Sequence, residues 1–158
     1  ANPHNRGAVV NQLDAMILGA AEIDVDFNVN VTTGTDGIIM GGSGGHADTA
    51  AGAKLAIVTT RLNAGGYAKV VDRVTTVTTP GETVDVLVTE AGVAVHPERE
   101  ELCDRLITGG VHVVPIEVLK DMAAKGAAQP KPAVRDERIV AVVEYRDGTV
   151  TDVVRAVA

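Results

Sequence analysis

Met40-Gly41-Gly42-Ser43-Gly44-Gly45-His46-Ala47-Asp48-Thr49-Ala50-Ala51-Gly52-Ala53-Lys54 runs directly into Leu55-Ala56-Ile57-Val58-Thr59-Thr60. Four glycines in five residues clear the backbone of Cβ obstruction. The small residues that follow read as a short helix packed close to a neighbour, and the apolar run after them reads as a buried strand. Loop, helix and buried strand in this order imply an α/β arrangement. Backbone N–H groups of such a loop, with a helix start beside them, can hold a phosphate, a carboxylate or the oxyanion of an attacked thioester. A merely flexible turn fits the glycine content equally well. No Gly-Lys-Ser/Thr follows and the Rossmann spacing is not met, which argues against dinucleotide binding.

Working upstream, Glu22 to Thr33 alternates, with Ile23, Val25, Phe27, Val29 and Val31 set against Glu22, Asp24, Asp26, Asn28 and Asn30. That period predicts one strand with a face of carboxylates and amides. Ala15 to Gly19 reads as a buried strand, and Asn2 to Leu13 allows a short helix with Asn2 as cap and Pro3 in the first turn. Downstream, Asn63-Ala64-Gly65-Gly66 marks a loop tip, and Val70 to Thr78 with Val84 to Thr89 predicts a strand pair across Pro80-Gly81. Pro97 opens a helix through Ile107 that Gly109-Gly110 ends, and Val111 to Val114 reads as a short strand. Pro115 opens a second helix with Ile116, Leu119 and Met122 on its apolar side, before the loop Gln129-Pro130-Lys131-Pro132. Ile139 to Arg146 and Thr149 to Val157 flank Asp147-Gly148, which predicts a closing hairpin with a type I′ turn.

The 158 residues suffice for one sizeable core. With 46% hydrophobic residues but only 2% aromatic, that core must be built from Val, Ile, Leu and Ala. A net charge of −7 without any Lys/Arg cluster argues against nucleic acid and anionic membranes as partners. No apolar run approaches the roughly 20 residues needed to span a bilayer, so the expected location is the cytoplasm. The single cysteine, Cys103, excludes an intrachain disulfide and reads as a buried structural thiol. His4, His96 and His112 are scattered without ligand spacing, so no metal site is expected.

The glycine segment is similar to the loop and helix of coenzyme A transferases, in which G-x-G-G is followed by Asp three residues on; Gly42, Gly44, Gly45 and Asp48 match. Further segments resemble the citrate lyase alpha subunit family: Ala1-Asn2-Pro3-His4-Asn5, Gly19-Ala20-Ala21-Glu22-Ile23-Asp24, Asn28-Val29-Asn30-Val31-Thr32-Thr33, and Val142-Val143-Glu144-Tyr145-Arg146-Asp147-Gly148-Thr149-Val150. The resemblance spans essentially the whole chain. It implies an α/β fold with an open mixed sheet of the coenzyme A transferase (NagB/RpiA-like) type. Residues 1–158 would supply the C-terminal part of the second of two such domains, an incomplete repeat ending in a hairpin at about residues 137–158.

The implied activity is acyl transfer, exchanging acetyl for citryl on the thiol of an acyl carrier protein or coenzyme A, without a protein nucleophile in this stretch. The reaction would act on the coenzyme A-derived prosthetic group of the carrier or on acetyl-CoA, with no cofactor bound covalently to this chain. Implied partners are the citrate lyase beta subunit, the acyl carrier protein (gamma subunit), citrate and an acetyl thioester, within an oligomeric complex; the fragment itself is expected to be inactive. Gly44, Gly45, His46 and Glu22 are the catalytic candidates. Gly41, Gly42 and Ser43 are the candidates for binding coenzyme A or the acyl group, and Asn28 and Asn30 for binding citrate. Each has a plainer reading: His46 as a cap, Glu22 as a strand carboxylate, the asparagines as turn caps, and Ser43 as a residue without a triad. Two alternatives stand beside citrate: a transferase or thioester hydrolase for another small acid, and a non-catalytic module holding a phosphorylated metabolite.

Overall fold

The computed structural model describes residues 7–128 and 135–157. The Asn2 cap, Pro3, His4 and the loop around Pro130 lie outside them. The first described element is a 3-10 turn, Val9–Asn11, shorter than the helix that the sequence pattern allows.

The central sheet has four strands: β1 (Met16–Gly19), β4 (Ala56–Thr59), β8 (Val86–Thr89) and β9 (Gly92–Val95), in that spatial order. β1, β4 and β8 are parallel and β9 is antiparallel, so the sheet is mixed and open. β4 is flanked on both sides, and its Ala56 and Val58 are fully buried. β1 lies at the edge, which leaves Ile17 65% exposed although its apolar run predicts a buried strand. The crossover from β1 to β4 contains the glycine loop and α1 (His46–Gly52). A Cβ on Gly52 would fall 1.7 Å from the Val10 carbonyl oxygen, so the helix of small residues packs backbone to backbone on the 3-10 turn.

The alternating segment is not one strand. β2 (Glu22–Asp24) and β3 (Val29–Asn30) pair antiparallel around a turn in which Phe27 takes a φ of 62°. The Asp24 carboxylate makes the turn by accepting the N–H groups of Asp26 and Asn28, at 3.1 and 2.9 Å. Left-handed backbone costs a non-glycine residue roughly 1–2 kcal/mol. Burying the only phenylalanine offsets it: the ring is 1% exposed, meets His96 edge-on, and on burial contributes about 1.5–3 kcal/mol. Much of the supposedly polar face is therefore interior: Glu22, Asp24 and Asn30 are buried, while Asn28 is half-buried and Asp26, in the turn, is exposed.

The predicted pair across Pro80-Gly81 is absent. β7 (Val70–Val71) instead runs parallel to β2, and Gly81–Thr83 is a 3-10 turn. Between β7 and that turn lies irregular chain whose buried Thr76, Thr78 and Thr79 bond to the β2–β3 unit rather than to a ladder. β5 (Asn63–Ala64) and β6 (Tyr67–Ala68) form the small hairpin at the expected loop tip. α2 (Glu100–Thr108) ends at Gly109, and α3 (Ile116–Lys125) buries Ile116, Leu119 and Ala123, with Met122 turned 41% toward solvent. Val111 to Val114 contributes one bridge, Val93 to Val113, rather than a strand. Cys103 is half-buried rather than fully enclosed.

The chain closes with the predicted hairpin, β10 (Arg135–Glu144) and β11 (Val150–Val157). Its turn differs from type I′: only Gly148 has positive φ, and Tyr145 pairs with Thr149 through a longer loop. Asp147 holds this loop by accepting the Thr149 N–H and hydroxyl.

Candidate functional site

Gly41 to Gly45 form an exposed loop on the crossover between two parallel strands. Gly44 has a φ of +57°, which explains one glycine. A Cβ at Gly41, Gly42 or Gly45 would have nothing within 4 Å, and none of the three has left-handed backbone, so the fold itself does not require them to be glycine. Among the described residues, the amides of Gly44 and Gly45 have no hydrogen-bond acceptor, while the next amide, of His46, donates to the Ser43 carbonyl at 3.2 Å.

A cavity of about 220 Å³ opens beside the loop, lined by Ser43, Gly44, Ala47, Asp48 and Thr78 on one side and by Glu144, Tyr145 and Arg146 of the closing hairpin on the other. The Arg146 guanidinium donates through Nη2 to the Asn11 side-chain carbonyl. Burial pushes the Tyr145 hydroxyl upward in pKa; Arg146 opposes that shift, and the charges of Glu82, Asp147 and Asp48 add to it. Sequence reasoning does not single out Tyr145 or Arg146. Their only signal is membership of the segment 142–150 that carries the family resemblance.

His46 points inward. Its Nε2 lies 3.1 Å from the Gly19 carbonyl, which can only accept, so Nε2 carries the proton and donates. Nδ1 then accepts from the Thr79 hydroxyl at 2.8 Å. Burial holds the imidazole pKa below the usual histidine range, with the bond to Gly19 opposing. Both ring nitrogens are occupied, and the ring ties the helix start to β1 and to Thr79.

Glu22 and Asn30 are buried and Asn28 is half-buried; none of the three lines the glycine-loop cavity, although Glu22 contributes to the wall of a separate cleft of about 560 Å³. Glu22 accepts from Asn30 Nδ2 at 3.1 Å, from the Thr75 N–H at 3.0 Å and from the Thr35 hydroxyl at 2.6 Å. Asn30 also donates to the Thr33 carbonyl and accepts the N–H groups of Thr32 and Thr33, so its whole amide is used. Asn28 donates to Asp24 and accepts the Gly81 N–H at 3.0 Å. This network sets the β2–β3 turn and the Thr-rich segment behind the cavity. Larger clefts lie elsewhere, one of about 610 Å³ by Lys54 and Arg99 and one of about 560 Å³ by Tyr67 and Lys120; neither is lined by the glycine loop. Among the described residues no group of His, Cys, Asp or Glu is arranged to hold a metal, and no helix is long and apolar enough to cross a membrane.

A sequence profile of the family described as citrate lyase, alpha subunit, matches residues 1–157. The curated citrate lyase alpha chains of Klebsiella pneumoniae and Escherichia coli K12 are each 49% identical over 157 residues, which is 99% of this chain and 31% of theirs. A solved Streptococcus mutans structure, described as a putative citrate lyase alpha subunit in complex with citrate, superposes with a TM-score of 0.95 at 47% identity. It covers 99% of this chain, and this chain covers 31% of it. The chain thus spans about a third of the length of these relatives.

Proposed function

The chain belongs to the citrate lyase alpha subunit family, and from that premise we propose that it takes part in acyl transfer, exchanging acetyl for citryl on the thiol of an acyl carrier protein. The observation that carries the reading is the pair of unbonded amides at Gly44 and Gly45, in a loop whose neighbouring glycines leave approach space the fold does not use. In this reading a citrate carboxylate attacks the acetyl thioester carbonyl, forming a C–O bond and a tetrahedral oxyanion. Collapse breaks the C–S bond, releasing the carrier thiolate and leaving a mixed anhydride. The thiolate then attacks the citryl carbonyl, a second oxyanion forms, and acetate departs. Both oxyanions carry charge that pre-aligned amide donors stabilise, and an oxyanion donor is typically worth about 10²–10³ in kcat.

His46 serves here as a positioning residue, because it fixes the loop's exit into α1 and leaves no free nitrogen for substrate. Glu22, Asn28 and Asn30 act the same way, by holding the turn and the segment behind the cavity. The sheet is taken as part of a coenzyme A transferase-type repeat within a longer subunit. The carrier's coenzyme A-derived arm, the beta subunit and a cytoplasmic complex complete the proposed setting.

The test is acetate release by the complete alpha subunit with an acetylated carrier. Gly45→Ala is the clean variant, since φ at Gly45 is −102° and its Cβ would meet nothing. It is expected to lower kcat by about 10-fold or more with little change in melting temperature, by obstructing approach to the amides. Unchanged kcat would sink the oxyanion assignment, and equal rates with simple monocarboxylates would remove citrate as the acid.

A further inference from the structure

The cavity beside the glycine loop has two acidic side chains in its lining, Asp48 and Glu144, and one cationic side chain, Arg146. A small organic anion entering it would be repelled by the first two and attracted by the third. The guanidinium is also tethered on one side. Its Nη2 is engaged by Asn11, and among the described residues its other donors have no protein partner. A planar fork seated on one side and open on the other is pre-organised for a carboxylate.

The hairpin turn that carries Arg146 is docked rather than loose. Asp152 on β11 accepts the Val77 N–H at 2.8 Å, next to the cavity-lining Thr78, and Val143, Val154 and Ala156 are buried beneath the ribbon. Tyr145 is half-buried, and its hydroxyl, which has no hydrogen-bond partner among the described residues, is open to an entering ligand. The Ser43 hydroxyl opposite is similarly unpartnered among them. At about 220 Å³ the space suits a small acid better than a nucleotide.

We propose that Arg146, seated by Asn11 and supplemented by the Tyr145 hydroxyl, takes a carboxylate of the hydroxy-polycarboxylate substrate, making the closing hairpin's turn the acid-recognition end of the glycine-loop cavity. The assignment deepens the acyl-transfer reading and rests on it for the identity of the acid. It places the acceptor acid with one carboxylate on Arg146 and another directed toward the amide of Gly44.

The experiment measures KM and kcat for citrate, and direct citrate binding by calorimetry, on the complete alpha subunit with its carrier. The variants are Arg146→Gln, Arg146→Lys, Tyr145→Phe and Asn11→Ala. Losing a charge-assisted bond is expected to raise KM about 10- to 100-fold in Arg146→Gln, with a smaller change in kcat and an unchanged melting temperature. Arg146→Lys should recover part of the loss, and Asn11→Ala should give a smaller rise in KM by loosening the fork. Preference for citrate over an analogue lacking one carboxylate should shrink in Arg146→Gln. If that variant fails to fold, Asn11→Ala and Tyr145→Phe with wild-type KM overturn the assignment. A folded Arg146→Gln with wild-type KM overturns it directly. A wild-type subunit that binds citrate without transferring acyl groups, and loses binding in Arg146→Gln, overturns the transfer reading and keeps Arg146. Neither transfer nor binding in wild type overturns both.

Discussion

The Thr79 hydroxyl donates to Nδ1 of His46 across 2.8 Å, joining the first residue of α1 to a segment 33 positions away in sequence. The partner bond from Nε2 to Gly19 uses the neutral ring's only proton, so protonating His46 reverses the Thr79 bond and sets a charge in a buried site. Its pKa is depressed in the fold by burial, and the unfolded state therefore binds the proton more readily. The resulting stability is fully present above the ordinary histidine value of 6.5 and is lost as pH falls through 6.5 toward the folded value. Urea midpoints are expected to fall between about pH 7.5 and 5.5 in wild type and to change less in His46→Gln. Equal pH dependence in the two proteins would show that the ring titrates freely.

The buried bond between Asn30 and Glu22 makes a second prediction. Asn30→Ala leaves the Thr32 and Thr33 N–H groups without acceptors, each costing on the order of 1–3 kcal/mol and not strictly additive, and takes one of two donors from Glu22 Oε2, which keeps the Thr75 N–H. Asn30→Asp keeps the acceptor but sets a second carboxylate beside Glu22. Chemical denaturation at neutral pH should rank wild type above both variants. Acidification should narrow the gap for Asn30→Asp and leave that of Asn30→Ala largely unchanged.

Gly52 supplies a contrast within the same crossover. Its missing Cβ makes room for the Val10 carbonyl, so Gly52→Ala must push α1 off the 3-10 turn, at about 1–3 kcal/mol or more. Calorimetry should show a melting temperature lower by several degrees. Gly45→Ala, with open space around it, should melt close to wild type while losing activity.

Asp152→Ala removes the acceptor that pins the hairpin to Val77 and should cost roughly 1–2 kcal/mol. Its sharper readout is limited proteolysis, with cleavage in the hairpin accelerating before the rest of the domain becomes susceptible. Resistance equal to wild type would mean that the apolar underside of Val143, Val154 and Ala156 suffices for docking.

Much of the architecture is legible in the sequence because hydrophobic period and glycine placement act locally. The glycine loop, α1, β4 and the closing hairpin follow from such patterns. The Glu22 to Thr33 segment misleads because its alternation continues through the turn: Val25 and Phe27 keep the strand rhythm while Asp24 bends the chain back on itself. Thr75 to Thr79 has strand-like composition, but its hydroxyls and amides are taken by Thr33, Glu22, Asp152 and His46, partners that only the tertiary fold supplies. The cavity is harder still to read, since one wall comes from residues 43–48 and the other from residues 144–146. No local pattern announces that Tyr145 and Arg146 face Gly44.

The bond from Arg146 to Asn11 closes a span of 135 residues. Closing a loop of that length costs entropy that this single bond does not offset alone, so the contact depends on the packing of everything between its ends. Damage remote from the cavity that loosens either end would leave the glycine amides in place but displace the guanidinium opposite them.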